Sequence, residues 1–177
     1  MMQQEIFQNH QVDLAQIPSA GEITWKPLQA AYRRILILSA VSWSAFFIVG
    51  ITIAIPFVNM PDWISLLAYL LVVFLAIVQL AFIVKSFPYK GYALRMHDIL
   101  YKSGWLYKQQ IAVPFNRIQH VDIRQGVFER AFGLSKLNVY TAGGQGSDIT
   151  IPGLPEDEAQ RLKEYILRET TQQDEEE

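Results

Sequence analysis

The sequence predicts an α-helical membrane hairpin followed by a small β-barrel-like domain with a C-terminal capping helix. Two stretches near the start of the chain, residues 35–55 and 63–84, contain no Asp, Glu, Lys, Arg or His. From about residue 88 the pattern changes to short runs that alternate apolar and polar residues, which is typical of half-buried strands. One amphipathic helix follows these strands, so we expect it to cap a partly open barrel.

The two apolar stretches are long enough to cross a membrane. A helix needs about 20 residues to span the hydrocarbon core, and both stretches reach that length. The alternative is a buried helical hairpin in a soluble protein. Two uncharged runs of this length exceed what a core in a chain of 177 residues can cover, so we favour membrane spans.

The flanking charges predict the orientation of the hairpin. Arg33 and Arg34 precede the first span, Lys85 and Lys90 follow the second, and the connection at residues 56–62 has no Lys or Arg. Cytoplasmic flanks of membrane spans are enriched in Lys and Arg. We therefore expect a multi-pass protein of the cytoplasmic (inner) membrane with both termini in the cytoplasm.

Small and polar residues suggest how the two spans pack. Gly50 and Ala54 form a small-xxx-small pair, which permits close approach of membrane helices. Gln79 lies at a depth similar to that of Ser39 and Ser42, so a hydrogen bond between the helices would satisfy its amide. No charged side chain lies within either span, so the usual marks of ion or proton transport are missing.

The chain divides into four predicted parts. Residues 1–26 are Gln-rich and lack a signal-peptide pattern, which predicts a flexible cytoplasmic segment. Residues 27–87 form the membrane hairpin, with Trp25 and Tyr32 expected in the headgroup region. Residues 88–170 form the soluble domain, and the acidic residues 171–177 are predicted to be a disordered tail.

The soluble domain shows six alternating or apolar runs and two helical patterns. The helical spacing of Val127 to Phe132 predicts a short helix, and Gly133 is a suitable left-handed cap after it. Ala159, Leu162 and Ile166 recur on one face of the last helix, which Pro155 is expected to open. The strands are predicted at residues 92–96, 99–103, 105–114, 118–125 and 137–141, with a return strand at 149–151.

Composition and motifs argue against several chemistries. The chain has no cysteine, and its formal net charge of −2 gives no support to nucleic-acid binding. His97 and Asp98 are neighbours on a strand, so their side chains are expected on opposite faces. His120 shares a strand face with Asp122, but no further residue there would complete a metal site. We therefore predict no catalytic, cofactor-binding or metal-binding residue and no cofactor.

Short motifs in order give the chain a family resemblance. Residues 111–114 (IAVP), 117–121 (RIQHV) and 125–130 (QGVFER) are followed by FGL, LNV and TAGG, which begin at residues 132, 137 and 141. With these motifs, residues 92–167 resemble the bacterial pleckstrin-homology-like (PH-like) domain of the YdbS type, and the preceding hairpin fits that family. The resemblance implies a membrane-anchored protein without established enzymatic activity that often occurs beside a larger relative.

The resemblance does not extend to phosphoinositide binding. PH domains of the eukaryotic kind bind these lipids through basic residues around the first hairpin. Here the turn at His97 and Asp98 has only Arg95 and Lys102 as nearby cations. Recognition of a specific headgroup is therefore not carried over to this chain.

Function is predicted as a non-catalytic accessory or scaffold module. We expect it to be embedded in the lipid bilayer and to bind a membrane protein, such as a larger multi-domain relative, or a second copy of itself. A short link to the spans would hold the domain at the membrane, where tethering raises the effective concentration of partners. The alternatives are a subunit of a membrane enzyme or transporter complex and a module that binds anionic lipid.

Overall fold

The chain forms a long helical hairpin joined to two antiparallel sheets and a last helix. The structure, a computed structural model, describes residues 23–58, 61–142 and 147–176. Two short 3-10 turns, Phe87–Tyr89 and Phe115–Arg117, link the elements. The helices are α1 (Ala30–Val58), α2 (Asp62–Ser86), α3 (Val127–Ala131) and α4 (Glu156–Glu176). The strands are β1 (Lys26–Pro27), β2 (Gly91–Leu94), β3 (Asp98–Ser103), β4 (Gln109–Pro114), β5 (Ile118–Arg124), β6 (Leu134–Thr141) and β7 (Ile149–Pro155).

The strands form two sheets whose order follows the chain. The first sheet has the order β1-β2-β3-β4 and the second has the order β5-β6-β7, and every neighbouring pair is antiparallel. Helix α4 packs against β5, β6 and β7. Its residues Ala159, Leu162 and Ile166 are buried, as their helical spacing predicts. The predicted fold class, a membrane helical hairpin with a small β domain and a capping helix, is confirmed.

The first turns of α1 and the segment just before this helix belong to the core of the β domain. Leu28, Tyr32 and Ile35 are buried in the same apolar cluster as the strand residues Ile151 and Leu154. The prediction that Tyr32 lies among lipid headgroups is therefore wrong, because its ring packs inside the protein. The hairpin and the domain are joined by shared core packing as well as by the chain itself.

A glycine in β7 makes room for that helix. The backbone of Gly153 has a φ of +68°, and a Cβ added there would lie 2.5 Å from Cβ of Tyr32. Residues other than glycine rarely adopt a positive φ, and two carbon atoms cannot approach so closely. Gly153 therefore allows α1 to approach the second sheet.

The N-terminal boundary of the domain differs from the prediction. Lys26 pairs with Tyr92 and Pro27 pairs with Gly91, so this short strand adds an edge to the first sheet. The division between a flexible segment at residues 1–26 and a hairpin that starts at residue 27 is therefore wrong at its boundary. A two-residue strand has no periodicity that a sequence pattern can show. The prediction for residues 1–22 lies outside the described residues.

Helix ends account for two further differences. Helix α4 runs to Glu176, so the tail predicted as disordered from residue 171 is helical over that length. Pro155 is the last residue of β7, and the helix opens with Glu156 instead. Gly133 has a φ of +63° after α3, which confirms its predicted left-handed conformation.

The predicted packing face of the hairpin is also wrong. Gly50 is exposed, and a Cβ built on it would meet no atom within 4 Å. Gln79 is exposed as well, and no hydrogen bond joins it to Ser39 or Ser42, all three of which the structure describes. Small residues permit close approach but do not enforce it. The less exposed positions of α1 follow a different stripe: Ala40, Ser44, Ile48, Ile51 and Ile55.

A hydrogen bond between hydroxyl groups sets the register of the two helices. Oγ1 of Thr52 lies 2.9 Å from the hydroxyl oxygen of Tyr69. Oγ1 of Thr52 also donates a hydrogen bond to the carbonyl oxygen of Ile48 at 2.8 Å, so its rotamer is fixed by its own helix. In surroundings without water, such a bond between helices contributes about 0.6 to 1.7 kcal/mol.

Replacing Gly153 by alanine should destabilise the junction of helix and sheet. We expect Gly153→Ala to lower the free energy of unfolding by at least about 2 kcal/mol, since the new methyl group adds a clash with Tyr32 to backbone strain. Gly133→Ala is the matched control, because its φ is also positive but its surroundings are open. The measurement is denaturant unfolding of both variants in detergent micelles. Equal losses would contradict the close contact with Tyr32.

The register of the hairpin can be tested with three single substitutions and one double variant. Thr52→Val and Tyr69→Phe should each lower the stability of the hairpin by about 1 kcal/mol, and the double variant should lose little more than either single one. Gly50→Leu should leave stability nearly unchanged, because the added side chain points into open space. Thermal unfolding of the variants in micelles measures these changes. A large loss in Gly50→Leu with none in Thr52→Val would restore the small-residue packing face.

Candidate interaction surface

The histidine and aspartate of the β2–β3 turn do not form an acid–base pair. Nε of Arg95 donates a hydrogen bond to Oδ1 of Asp98 at 2.6 Å, and the two side chains form an ion pair across the turn. His97 is exposed, and its carbonyl oxygen accepts a hydrogen bond from N–H of Phe115 at 2.9 Å. The turn therefore uses Asp98 for structure. The remaining histidine of the N-terminal segment, His10, lies outside the described residues.

Asp122 lies at the centre of a polar network on the outer face of the second sheet. Its oxygens accept hydrogen bonds from Nδ2 of Asn138 at 2.6 Å and from Nε of Arg124 at 2.8 Å. Tyr140 donates a weaker bond at 3.3 Å, and the ring of His120 lies 5.7 Å from the Tyr140 ring.

The network keeps Asp122 ionised. Burial raises the pKa of the Asp122 carboxyl, but the hydrogen bonds from Asn138 and Arg124 outweigh burial and hold this pKa below its usual value. A carboxylate whose oxygens are already occupied is a poor proton acceptor. Among the described residues, no three His, Cys, Asp or Glu side chains gather as metal ligands. The absence of catalytic and metal-binding residues stays a prediction.

Helix α3 buries a carboxylate and leaves its apolar side chains outside. The sequence pattern predicts this helix, but not that Glu129 is its buried residue, with an exposed fraction of 7%. Nζ of Lys136 lies 2.7 Å from Oε1 of Glu129. Burial raises the pKa of Glu129, and the hydrogen bond from Lys136 together with backbone N–H groups lowers it further than burial raises it. The only sign of this ion pair in the sequence is the seven-residue spacing between Glu129 and Lys136.

In the cleft between β2 and α4, the charges of Lys26 and Glu158 neutralise each other. Glu158 accepts hydrogen bonds from Lys26 and from the hydroxyl of Tyr92. The pKa of Tyr92 is raised by burial and by the neighbouring Glu158 carboxylate, so the hydroxyl keeps its proton at neutral pH. These contacts fix β1 to α4. They leave little free charge for a ligand.

The outer edge of β4 offers a surface for strand addition. Within the described part of the chain, β4 pairs only with β3, so one side of its backbone has no strand beside it. Gln109, Gln110 and Ala112 are exposed along this strand. An unpaired edge of six residues presents N–H and C=O groups that can pair with another chain.

A basic groove lies where β4 begins. It has a volume of about 430 Å³ and is lined by Lys102 and Lys108, and Nζ of Lys102 lies 4.5 Å from the centre of the Trp25 ring. None of the described residues that line it is acidic. Pro88 and Tyr89 form its other wall, so the groove lies directly after the end of α2. This chemistry suits an anionic group.

These features define a class: a small PH-like domain built onto a helical hairpin that has the length and hydropathy of membrane spans. The chain belongs to the bacterial PH domain family, whose sequence profile matches residues 33–170. The match includes the hairpin as well as the domain. The predicted family resemblance is thereby confirmed.

One curated relative supports the same assignment. The chain is 30% identical over 135 residues to the UPF0699 transmembrane protein YdbS of Bacillus subtilis (strain 168), an alignment that covers 75% of this chain and 81% of the relative. The name of that relative describes a transmembrane protein, in agreement with the two candidate spans found here. No solved structure matches the chain significantly.

Protonation of Glu129 should weaken the domain. Since the pKa of Glu129 is lowered in the folded state, its stabilising effect is present above the unfolded pKa of about 4.5 and is lost as the pH falls through the folded pKa. Glu129→Gln should lower the free energy of unfolding by about 1 kcal/mol at neutral pH. The free energy of unfolding of this variant should also fall less steeply as the pH is lowered. Urea unfolding between neutral and acidic pH measures both effects.

The control for this experiment is an exposed ion pair. Asp157 and Arg161 lie on the surface of α4, so Asp157→Asn should change stability little at any pH. An acid limb of the same slope in Glu129→Gln and in the unmodified protein would contradict the stabilising role of Glu129.

Proposed function

We propose that the protein is a non-catalytic interaction module anchored in the cytoplasmic membrane. Its PH-like domain binds a membrane protein, such as a larger relative with several PH-like domains, or a second copy of this chain. The binding surface is the free edge of β4. The partner adds a strand there, while the hairpin keeps the domain at the bilayer.

The observation that carries this proposal is the shared core of hairpin and domain. Tyr32 and Ile35 of α1 are buried among strand residues, and α2 is followed by a three-residue turn and Lys90 before β2 begins. Both connections are short and packed, so the domain cannot swing far from the membrane. Such tethering favours binding to other membrane proteins without high intrinsic affinity.

The charges at the domain end of the hairpin support a cytoplasmic orientation. Arg33 and Arg34 lie in the first turns of α1, and Lys85 lies in the last turn of α2. Short flanks that are rich in Lys and Arg favour the cytoplasmic side. We therefore propose that the domain and both termini lie in the cytoplasm and that both helices cross the membrane.

The polar groups of the domain support a role without catalysis. Asp122, Glu129 and Glu158 are each held by hydrogen bonds and ion pairs with neighbouring side chains. Catalytic groups usually retain an unsatisfied side that faces a cleft. These carboxylates are better explained as contacts that stabilise the domain.

The basic groove favours a second candidate, the binding of anionic lipid. Lys102 and Lys108 lie beside the turn that follows α2, within reach of headgroups at the membrane surface. Each basic residue near an anionic membrane contributes about 1 kcal/mol of attraction. This candidate needs no partner protein, which allows the two to be separated by experiment.

Site-specific crosslinking in native membranes tests the proposal. A photoreactive benzoylphenylalanine replaces Gln110 on the edge of β4 in the tagged full chain, expressed at its native level. We expect one membrane protein, or a second copy of the chain, to be crosslinked repeatedly and in stoichiometric amount. Mass spectrometry identifies the adduct.

The matched control carries the same group in place of Gln160, which is exposed on α4. A partner that binds at β4 should be crosslinked from Gln110 and not from Gln160. Equal yields at both positions, or lipid adducts without any protein, would contradict the β4 interface. Lipid adducts alone would favour the basic groove as the functional site.

A further inference from the structure

We propose that the PH-like domain inserts two apolar corners into the bilayer, one on each side of the hairpin. The first corner consists of Trp105, Leu106 and Tyr107, between β3 and β4. The second consists of Val127 and Phe128 of α3 with the following Phe132. Both corners contact the part of the acyl chains next to the headgroups, in the bilayer that the hairpin crosses. This inference rests on the membrane placement proposed above and adds a lipid-binding surface to the domain itself.

The first corner leans against α2. The ring of Trp105 meets the ring of Phe82 edge-on at a centroid distance of 6.5 Å, and Nζ of Lys85 lies 4.8 Å from the centre of the Trp105 ring. Leu106 and Tyr107 nevertheless have exposed fractions of 81% and 82%. Tryptophan and tyrosine are favoured at the boundary between lipid and water. The loop therefore presents apolar side chains directly beside a lipid-facing helix.

The second corner lies against α1. Phe128 lines an apolar groove of about 340 Å³ together with Ser39, Trp43 and Phe46. Val127 at the start of the short helix has an exposed fraction of 86%. Because Glu129 is turned inward to Lys136, α3 presents its apolar residues to the outside. Exposed apolar groups that continue a membrane-facing surface mark an interaction site.

The register of the hairpin places both corners at one level. Thr52 and Tyr69 face each other across the helix pair. Ser39 lies thirteen positions before Thr52 and Phe82 lies thirteen positions after Tyr69, so in this antiparallel pair Ser39 and Phe82 lie at the same level along the helix axes. The second corner contacts α1 beside Ser39, and the first corner contacts α2 at Phe82.

This common level lies on the lipid side of the charged flanks. Lys85 is three residues, about 4.5 Å along the helix axis, closer to the domain than Phe82. Arg34 lies five residues, about 7.5 Å, closer to the domain than Ser39. The cations can reach the headgroups while Leu106 and Val127 lie at the depth of the acyl chains, as in interfacial anchors of peripheral proteins.

Fluorescent labels can locate the corners, because the chain has no cysteine of its own. Leu106→Cys and Val127→Cys are labelled with the environment-sensitive dye NBD, and the full chain is reconstituted in phosphatidylcholine vesicles. Some vesicles carry lipids with a nitroxide quencher near the top of the acyl chain, and others carry lipids with the quencher near the end of the chain, at the depth of Leu75. We expect blue-shifted emission and strong nitroxide quenching at both positions.

Two control positions make every outcome decisive. Leu75→Cys labels an exposed position of α2 in the middle of the span, and Gln160→Cys labels the exposed surface of α4. Quenching at Leu75 but not at one or both corners would overturn the inference and leave the membrane placement intact. A blue shift at the corners without quenching would show that protein covers them instead of lipid, and would overturn it too. No quenching at Leu75 would overturn the membrane placement itself.

Discussion

The contact between Tyr32 and Gly153 determines how the rest of the molecule is arranged. Tyr32 lies in the first turn of α1, and the missing side chain at Gly153 lets that turn approach β7. Around this contact, Leu28 and Ile35 complete the core of the domain. The direction of α1 relative to the second sheet is therefore fixed by close packing, which resists deformation. Since α2 follows α1 antiparallel and is joined to β2 by one short turn and Lys90, the same contact sets the position of the whole hairpin.

One helix thus serves two environments. The first turns of α1 pack in a protein core, and the remainder exposes residues such as Phe46 and Ile53. Both environments select apolar side chains, so hydropathy predicts the span but not the point where the core ends. For the same reason the sequence could not show which stripe of α1 faces α2. The spans, most strands, α3 and the capping helix were predictable, because their periods of 3.6 and 2 residues appear directly in the chain.

The candidate site depends on features that a linear pattern does not contain. The free edge of β4 arises from the order of strands in the first sheet, and alternation within a strand says nothing about which neighbour lies beside it. The residues Trp105 to Tyr107 have strand-forming side chains, yet they form a connection because Gly104 adopts a φ of +95° and turns the chain. Their exposure and the inward orientation of Glu129 become visible only once the hairpin and the sheets are placed together.

The geometry also limits what kind of partner the β4 edge can accept. Gln109 begins this strand beside the groove that Tyr89 lines, immediately after α2, and Pro114 ends it near the β2–β3 turn. Six extended residues cover about 20 Å, so the edge runs from the groove beside the end of α2 to the β2–β3 turn. The orientation of the domain is fixed by the α1 junction. With the membrane placement proposed above, a partner strand must therefore be presented within about 20 Å of the domain end of the hairpin. Segments that directly follow a membrane span meet this requirement, whereas a freely diffusing protein gains no advantage from the tether.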